Sequence, residues 1–370
     1  MITVNKKISL SFPYAPERIG ELQKLLFFDI ETTGFSGDRD SLYLIGIIWH
    51  DEDGWQLTQW FADCREAEPE ILTAFFQFLT RFRVLIHFNG EGFDIPFLLK
   101  RCAALGIPGS FDSVISLDIY RLVRPYKKWL GLENLKQKSI ETFLGIQRED
   151  RMNGGQLISV YKTYLTSQDQ NLYRLLLLHN EEDLTGMPRI LPILSYHDFF
   201  KGPFSFQNAV FSPSVKAPET GAGELKLSYE GACLLPAPVS FSEGPYRLTL
   251  EKRQLVLSVS LLKGELRHFY PDFENYYYLI YEDCAIHKSV GQYVEQGARK
   301  KATARTCYTR VSGLFLPQPP LPDGLYLWDD CLRADYRTTP VYTRCTDSLF
   351  TDSKTAVQYL EAVLTSCLSG

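Results

Sequence analysis

The sequence predicts an α/β protein, built as a mixed sheet flanked by helices and followed by a smaller α+β domain. Through Ile193, apolar runs of strand type alternate with runs of helical period, whereas after Gly202 Pro-, Ser- and Gly-rich segments separate short alternating runs. The length of 370 residues, with 45% hydrophobic and 22% charged, suits two ordinary globular domains. The expected division is an N-terminal extension at 1–23, a mixed-sheet domain at 24–200, a linker at 201–223 and an accessory α+β domain at 224–370.

The elements follow in order. Leu25 to Ile30 reads as a buried strand. Leu42–Trp49 and Trp55–Phe61 flank the turn Asp51-Glu52-Asp53-Gly54, the pattern of an antiparallel hairpin, so the sheet is mixed. Glu68 to Arg81 has helical periodicity, Arg83 to Phe88 is a second buried strand, and Phe93 to Leu105 is a helix that Gly106 ends. Val114–Leu117 is a further short strand, and helices dominate from Glu133 to about Leu191. In the accessory domain, Tyr246–Leu250, Leu255–Val259 and Gly324–Trp328 read as strands, and Ala285–Arg299 and Lys354–Ser366 as helices.

The chemistry concentrates in three places. Asp29 and Glu31 alternate at the carboxyl end of the first strand, so both carboxylates reach one face, where unpaired negative charge is costly without a cation; the pair predicts a divalent metal. The run His87-Phe88-Asn89-Gly90-Glu91-Gly92-Phe93-Asp94 carries a strand through a glycine-interrupted loop to Asp94, which can cap the following helix or reach a metal. In Leu175–Leu184, His179 and Asp183 lie at i and i+4 on one helical face, a base beside an acid, with Glu182 sharing that face. Asp118 can either approach the acids or cap the helix after it, and the cap is the simpler use.

Asp29-x-Glu31-Thr-Thr-Gly, Asn89-x-x-x-Phe93-Asp94 and His179-x-x-x-Asp183, in this order, resemble the four-carboxylate (DEDD) exonucleases of the ribonuclease H-like superfamily, and within it the bacterial YprB-type proteins. The stretch Gly131–Gly145, with Met152-Asn-Gly-Gly155 and Val160-Tyr161, resembles that group's segment between its third and fourth acids. The resemblance covers about residues 24–195 and implies a ribonuclease H-like sheet, metal-binding roles for Asp29, Glu31, Asp94 and Asp183, and substrate contacts at Thr32, Asn89 and Phe93. It implies 3′→5′ hydrolysis of DNA or RNA with two Mg²⁺ or Mn²⁺ ions, the usual device for phosphodiester cleavage, and a single-stranded or 3′-ended nucleic acid as partner. His179 takes the general-base position, although it stands at the spacing of the superfamily's tyrosine-type members. The alternative is a nucleic-acid-binding or scaffold protein that keeps the fold without cutting.

Charge and cysteines narrow the field. Residues 1–200 hold 21 Lys and Arg against 26 Asp and Glu, so the catalytic domain is not broadly basic. Tyr120, Arg121, Arg124, Tyr126, Lys127, Lys128 and Trp129 form a local basic and aromatic cluster suited either to single-stranded nucleic acid or to an ordinary solvated loop. Lys288, Arg299, Lys300, Lys301, Arg305 and Arg310, near several tyrosines, pose the same choice in the accessory domain. Eight cysteines without a C-x-x-C pair indicate neither a disulfide framework nor a zinc knuckle. No apolar run reaches the ~20 residues of a membrane span, and the expected location is the cytoplasm.

Overall fold

A computed structural model describes residues 1–146, 154–212, 223–321 and 323–368, and the chain divides into two compact units, Met1–Asp198 and Phe199–Gly370. In the first unit the strands are β1 (Ile2–Lys7), β2 (Leu25–Thr32), β3 (Leu42–Asp51), β4 (Gly54–Phe61), β5 (Val84–His87) and β6 (Ile115–Asp118). They form one mixed sheet in the order β1-β4-β3-β2-β5-β6, with β2-β5 and β5-β6 parallel and the other pairs antiparallel. The helices are α1 (Glu68–Leu79), α2 (Asp94–Leu105), α3 (Ile119–Val123), α4 (Gln137–Phe143), α5 (Gly154–Ser167) and α6 (Gln170–Ile190), and α7 (Leu194–Lys201) follows them. Residues 2–7 of the expected N-terminal extension are thus an edge strand: Ile2 to Lys7 pair with Phe61 to Gln56. Alternation in Ile2-Thr3-Val4-Asn5 matches that half-covered position.

β2 lies between β3 and β5, which explains its unbroken apolar run: Leu25 to Phe28 are fully buried because both faces of a central strand are covered. Leu26, Phe28 and Ile30 join a core with Ile71, Leu72 and Phe75 of α1, where the Phe28 and Phe75 rings stack 5.7 Å apart. The alternate residues Leu25, Phe27, Asp29 and Glu31 share the opposite face, so the strand that anchors the core also presents the two acids. Gly106, at φ 67, closes α2 in the left-handed conformation that glycine accepts readily. Among the described residues no helix is long and apolar enough to cross a membrane.

The second unit holds β7 (Phe204–Ser212), β8 (Glu224–Gly231), β9 (Val239–Glu243), β10 (Tyr246–Glu251) and β11 (Gln254–Ser260) in an antiparallel sheet ordered β7-β8-β11-β10-β9. β12 (Leu262–Phe269), β16 (Tyr308–Gln318), β17 (Leu332–Arg333) and β18 (Val341–Arg344) close in a ring of pairings; β13 (Tyr276–Leu279), β14 (Cys284–His287) and β15 (Arg299–Lys301) form a small sheet. α8 (Lys288–Gly291) is a single turn, and α9 (Ser353–Leu368) buries Ala356, Tyr359, Leu360 and Val363. Three expectations are corrected here. Residues 204–212 of the expected linker are strand β7, paired along β8, while 213–222 lie outside the described residues. The helix expected over Ala285–Arg299 is instead β14, α8 and β15: pairing with the tyrosine-rich β13 overrides the helical period, and Gly291 and Gly297 weaken any helix. Gly324–Trp328 makes no ladder, because Leu325 turns back, its N–H donating to Asp323 and its carbonyl accepting the Leu321 N–H.

One largely buried ion pair ties β3, α1 and α2 of the first unit together. Glu68 at the start of α1 accepts the Leu42 N–H of β3 at 2.8 Å and both Nε and Nη2 of Arg101 on α2, at 2.7 and 2.6 Å. A bidentate guanidinium offsets the cost of desolvating the carboxylate, and losing it leaves a buried charge unpaired. Arg101→Ala is therefore expected to lower unfolding free energy by roughly 3 kcal/mol; urea denaturation with an unchanged midpoint would contradict this.

Candidate active site

The structure brings the three acidic segments together. Asp29 and Glu31 project from β2, Asp94 opens α2, and His179 and Asp183 face them from α6. His179 Nε2 lies 3.2 Å from Asp183 Oδ2 and 3.7 Å from Glu31 Oε1, and Tyr43 donates to Glu31 Oε2 at 3.4 Å. Ligand atoms of Glu31, His179 and Asp183 all lie within 4.8 Å of one another. Burial pushes the Asp29 carboxyl well above its ordinary range, and the charges of Asp183, Glu31 and Asp94 add to the shift in that order. Burial also pushes Asp94 up to about 7, against the opposing hydrogen bonds from its own N–H and that of Ile30. Carboxylates crowded and desolvated to this degree form a donor set with a deficit of positive charge, which a divalent cation fits.

Asp29 is oriented from behind by residues that sequence reading had passed over. Asn180 Nδ2 donates to Asp29 Oδ2 at 2.9 Å, and Gln59 Nε2 donates to Asn180 Oδ1 at 2.9 Å and to the Leu177 carbonyl at 2.9 Å. Asn180 and Gln59 are completely buried or nearly so. The relay needs α6 to sit against β3 directly opposite Asp29, whose cross-strand partner is Gly46. A Cβ at Gly46 would run into the Asn180 carboxamide and the Leu184 side chain. The available signal was an isolated glycine in the apolar run Leu44-Ile45-Gly46-Ile47-Ile48, which marks close approach by another element.

The loop leading to Asp94 is pinned by Asp118. Its carboxylate accepts the Asn89 N–H at 2.9 Å and the Glu91 N–H at 3.2 Å, as well as capping α3 through the Arg121 N–H at 3.4 Å. It is thus a cap and a loop anchor at once. His87 accepts the Gly90 N–H on Nδ1 at 3.1 Å and meets Ser116 through Nε2 at 2.9 Å. Burial lowers its pKa to about 4 despite nearby Asp118, so the ring is neutral and acts as a fixed hydrogen-bond bracket. Asn89, at φ 63, turns the chain in the left-handed conformation.

A cleft of about 1060 Å³ opens beside the acids, lined by Asp29, Asn89, Phe93, Asp94, Tyr120, Arg124, Lys127 and Lys136, among others. Phe35 also lines it, is 85% exposed and meets Phe93 edge-on at 6.1 Å, an aromatic surface the sequence analysis had not singled out. The basic and aromatic cluster divides: Tyr120, Arg124 and Lys127 reach the cleft, Tyr126 and Trp129 are buried, and Arg121 pairs with Glu91. The Thr32 hydroxyl is donated to the Gly34 carbonyl at 2.7 Å, shaping the turn after β2. Of the Met152–Gly155 motif, residues 152 and 153 lie outside the described residues.

Residues 26–195 match the family model described as RNase_H superfamily. The mixed sheet flanked by helices is consistent with a ribonuclease H-like fold over that segment. Over 93 residues the chain is 33% identical to a DNA polymerase of Pyrococcus glycovorans, spanning 23% of this chain and 12% of that protein. It is 34% identical to a DNA polymerase of Thermococcus aggregans over 23% of this chain and 5% of that protein, so it spans only a small part of these relatives. Among solved structures, the family B DNA polymerase of Pyrobaculum calidifontis is 15% identical with a TM-score of 0.37, over 68% of this chain and 35% of that one. Product-bound exonuclease I is 13% identical with a TM-score of 0.28, over 56% and 58% respectively. Because Asn180 holds Asp29 in place, Asn180→Leu is expected to weaken Mn²⁺ binding by roughly 10–100-fold with the fold retained. Electron paramagnetic resonance titration of free Mn²⁺ reads this directly, and wild-type affinity in the variant would contradict it.

Proposed function

We propose that the chain is a metal-dependent nuclease, and specifically a 3′→5′ exonuclease that releases nucleoside monophosphates from single-stranded nucleic acid. The observation that carries this reading is the convergence of Asp29, Glu31, Asp94 and Asp183 from three elements on one site, with His179 among them. Similarity of the motifs to YprB-type proteins supports the same reading. A binding protein has no use for a cluster so costly to bury.

Asp29, Glu31, Asp94 and Asp183 would hold two divalent ions, Mg²⁺ or Mn²⁺ by the oxygen-rich donor set. When bound, the ions supply positive charge to the reacting phosphate and lower the pKa of water. The protein groups then have distinct tasks. Water oxygen bonds to phosphorus as the bond from phosphorus to the 3′ oxygen breaks; the proton released by the water passes to the imidazole of His179, which lies beside Asp183 and Glu31. The departing 3′ oxygen takes its proton from solvent. Phe35 and Phe93 offer ring faces for the terminal base, and Arg124, Lys127 and Lys136 follow the phosphates in the cleft.

The test is incubation of 5′-labelled single-stranded DNA and RNA with the protein in Mn²⁺, Mg²⁺ or EDTA. Metal-dependent ladders from wild type and none from a folded Asp29→Asn variant are expected; equal cleavage by the variant would sink the site assignment. His179→Ala is expected to slow hydrolysis by about 10²–10⁴-fold while leaving Mn²⁺ binding by Asp29 and Asp94 measurable. An unchanged rate would remove His179 from the proton transfer.

A further inference from the structure

The second compact unit contains a cavity of about 350 Å³ walled by Phe269, Tyr270, Phe273 and Tyr336 together with Arg333 and Arg337. No carboxylate is among its lining residues. The ion pairs of this region, Arg267 with Asp335 and Arg310 with Glu265, leave both cavity arginines out among the described residues. Two guanidiniums beside an aromatic wall, with no acid lining the cavity, suit a ligand that is flat at one end and anionic at the other.

The wall is built before any ligand arrives. Tyr270 is backed by Tyr276, whose ring is nearly parallel at 4.9 Å and 10°, and Phe269 meets Tyr336 edge-on at 5.5 Å. Tyr336 and Arg337 sit on a tight turn closed by the Asp335 N–H to Thr338 Oγ1 at 3.0 Å and the Tyr336 N–H to Asp335 Oδ1 at 2.7 Å. Arg333 Nη1 donates to the Thr338 carbonyl at 2.8 Å, which ties one guanidinium to the same turn. The turn holds Arg337 at φ 60, a conformation that costs a residue with a side chain, and places its guanidinium 5.1 Å from the Tyr336 ring centre. Preorganised rings and cations reduce the entropy lost on binding. The volume is at the small end for ligand sites, too small for a duplex and adequate for one nucleotide.

We propose that this cavity binds one nucleotide of a single-stranded nucleic acid, with the base against the rings and the phosphate on Arg333 and Arg337. The polymer class rests on the nuclease reading above; binding here requires no metal and no cleavage. The experiment is fluorescence anisotropy of the full chain in EDTA with a short fluorescein-labelled single strand, comparing wild type, Tyr336→Ala and Arg337→Ala, each checked by circular dichroism for an unchanged fold. Tyr336→Ala is expected to weaken binding about ten-fold, within the range for losing one stacked base. Arg337→Ala is expected to weaken it too and to make the dependence of affinity on salt shallower by about 0.7 in log–log slope. Wild-type affinity and slope in both variants would overturn the proposal. The two readings fail separately: a chain that cuts neither strand yet loses affinity in these variants keeps the cavity and loses the nuclease, whereas one that cuts in Mn²⁺ while both variants bind as wild type loses the cavity alone.

Discussion

Mutual repulsion among crowded, largely desolvated carboxylates is the constraint around which the first unit is arranged. Asp29 stands beside the charges of Asp183, Glu31 and Asp94, and desolvation alone already opposes its ionisation. Such a cluster collapses or protonates unless the surrounding structure holds it, and the holding parts are visible: the Asn180 carboxamide behind Asp29, the backbone N–H of Ile30 toward Asp94, and the Tyr43 hydroxyl against Glu31. Each comes from a different element, so sheet, hairpin and long helix must all be formed before the acids can be brought together.

This explains which parts of the site were legible from sequence. Asp29 and Glu31 announce themselves because a period of two on an apolar strand puts both on one face, and His179 and Asp183 because four residues make one turn of helix. Gln59 gave no such sign. A glutamine between Thr58 and Trp60 on a hairpin strand reads as a half-exposed position, and it is buried only because α6 crosses above it. Asp118 was legible as a cap but not as the anchor of the loop that follows the neighbouring strand, since that role depends on β5 and β6 lying side by side.

The second unit was harder to read for a related reason. Its strands are short, and several owe their existence to a partner rather than to their own pattern. β14 and β15 flank β13 and take their extended form from it, so the apolar spacing of residues 285–299 misled toward a helix. β7 likewise lies within the run read as a linker, and its partner β8 makes it a strand. Where alternation was strong, as in Leu225, Leu227 and Tyr229 or Leu255, Leu257 and Val259, the buried side follows it closely.

Gly46 brings no side chain to the sheet and stands opposite Asp29. The space it leaves vacant admits the Asn180 carboxamide, so a position with no functional group of its own governs the contact between helix and acid. For the inheritance of this site, such a residue is as exacting as a ligand: an added methyl group there would propagate through a single hydrogen bond to Asp29. Comparisons restricted to acids and bases would count the site intact in a descendant that had lost Gly46, and would be looking at a constellation whose keystone had been widened.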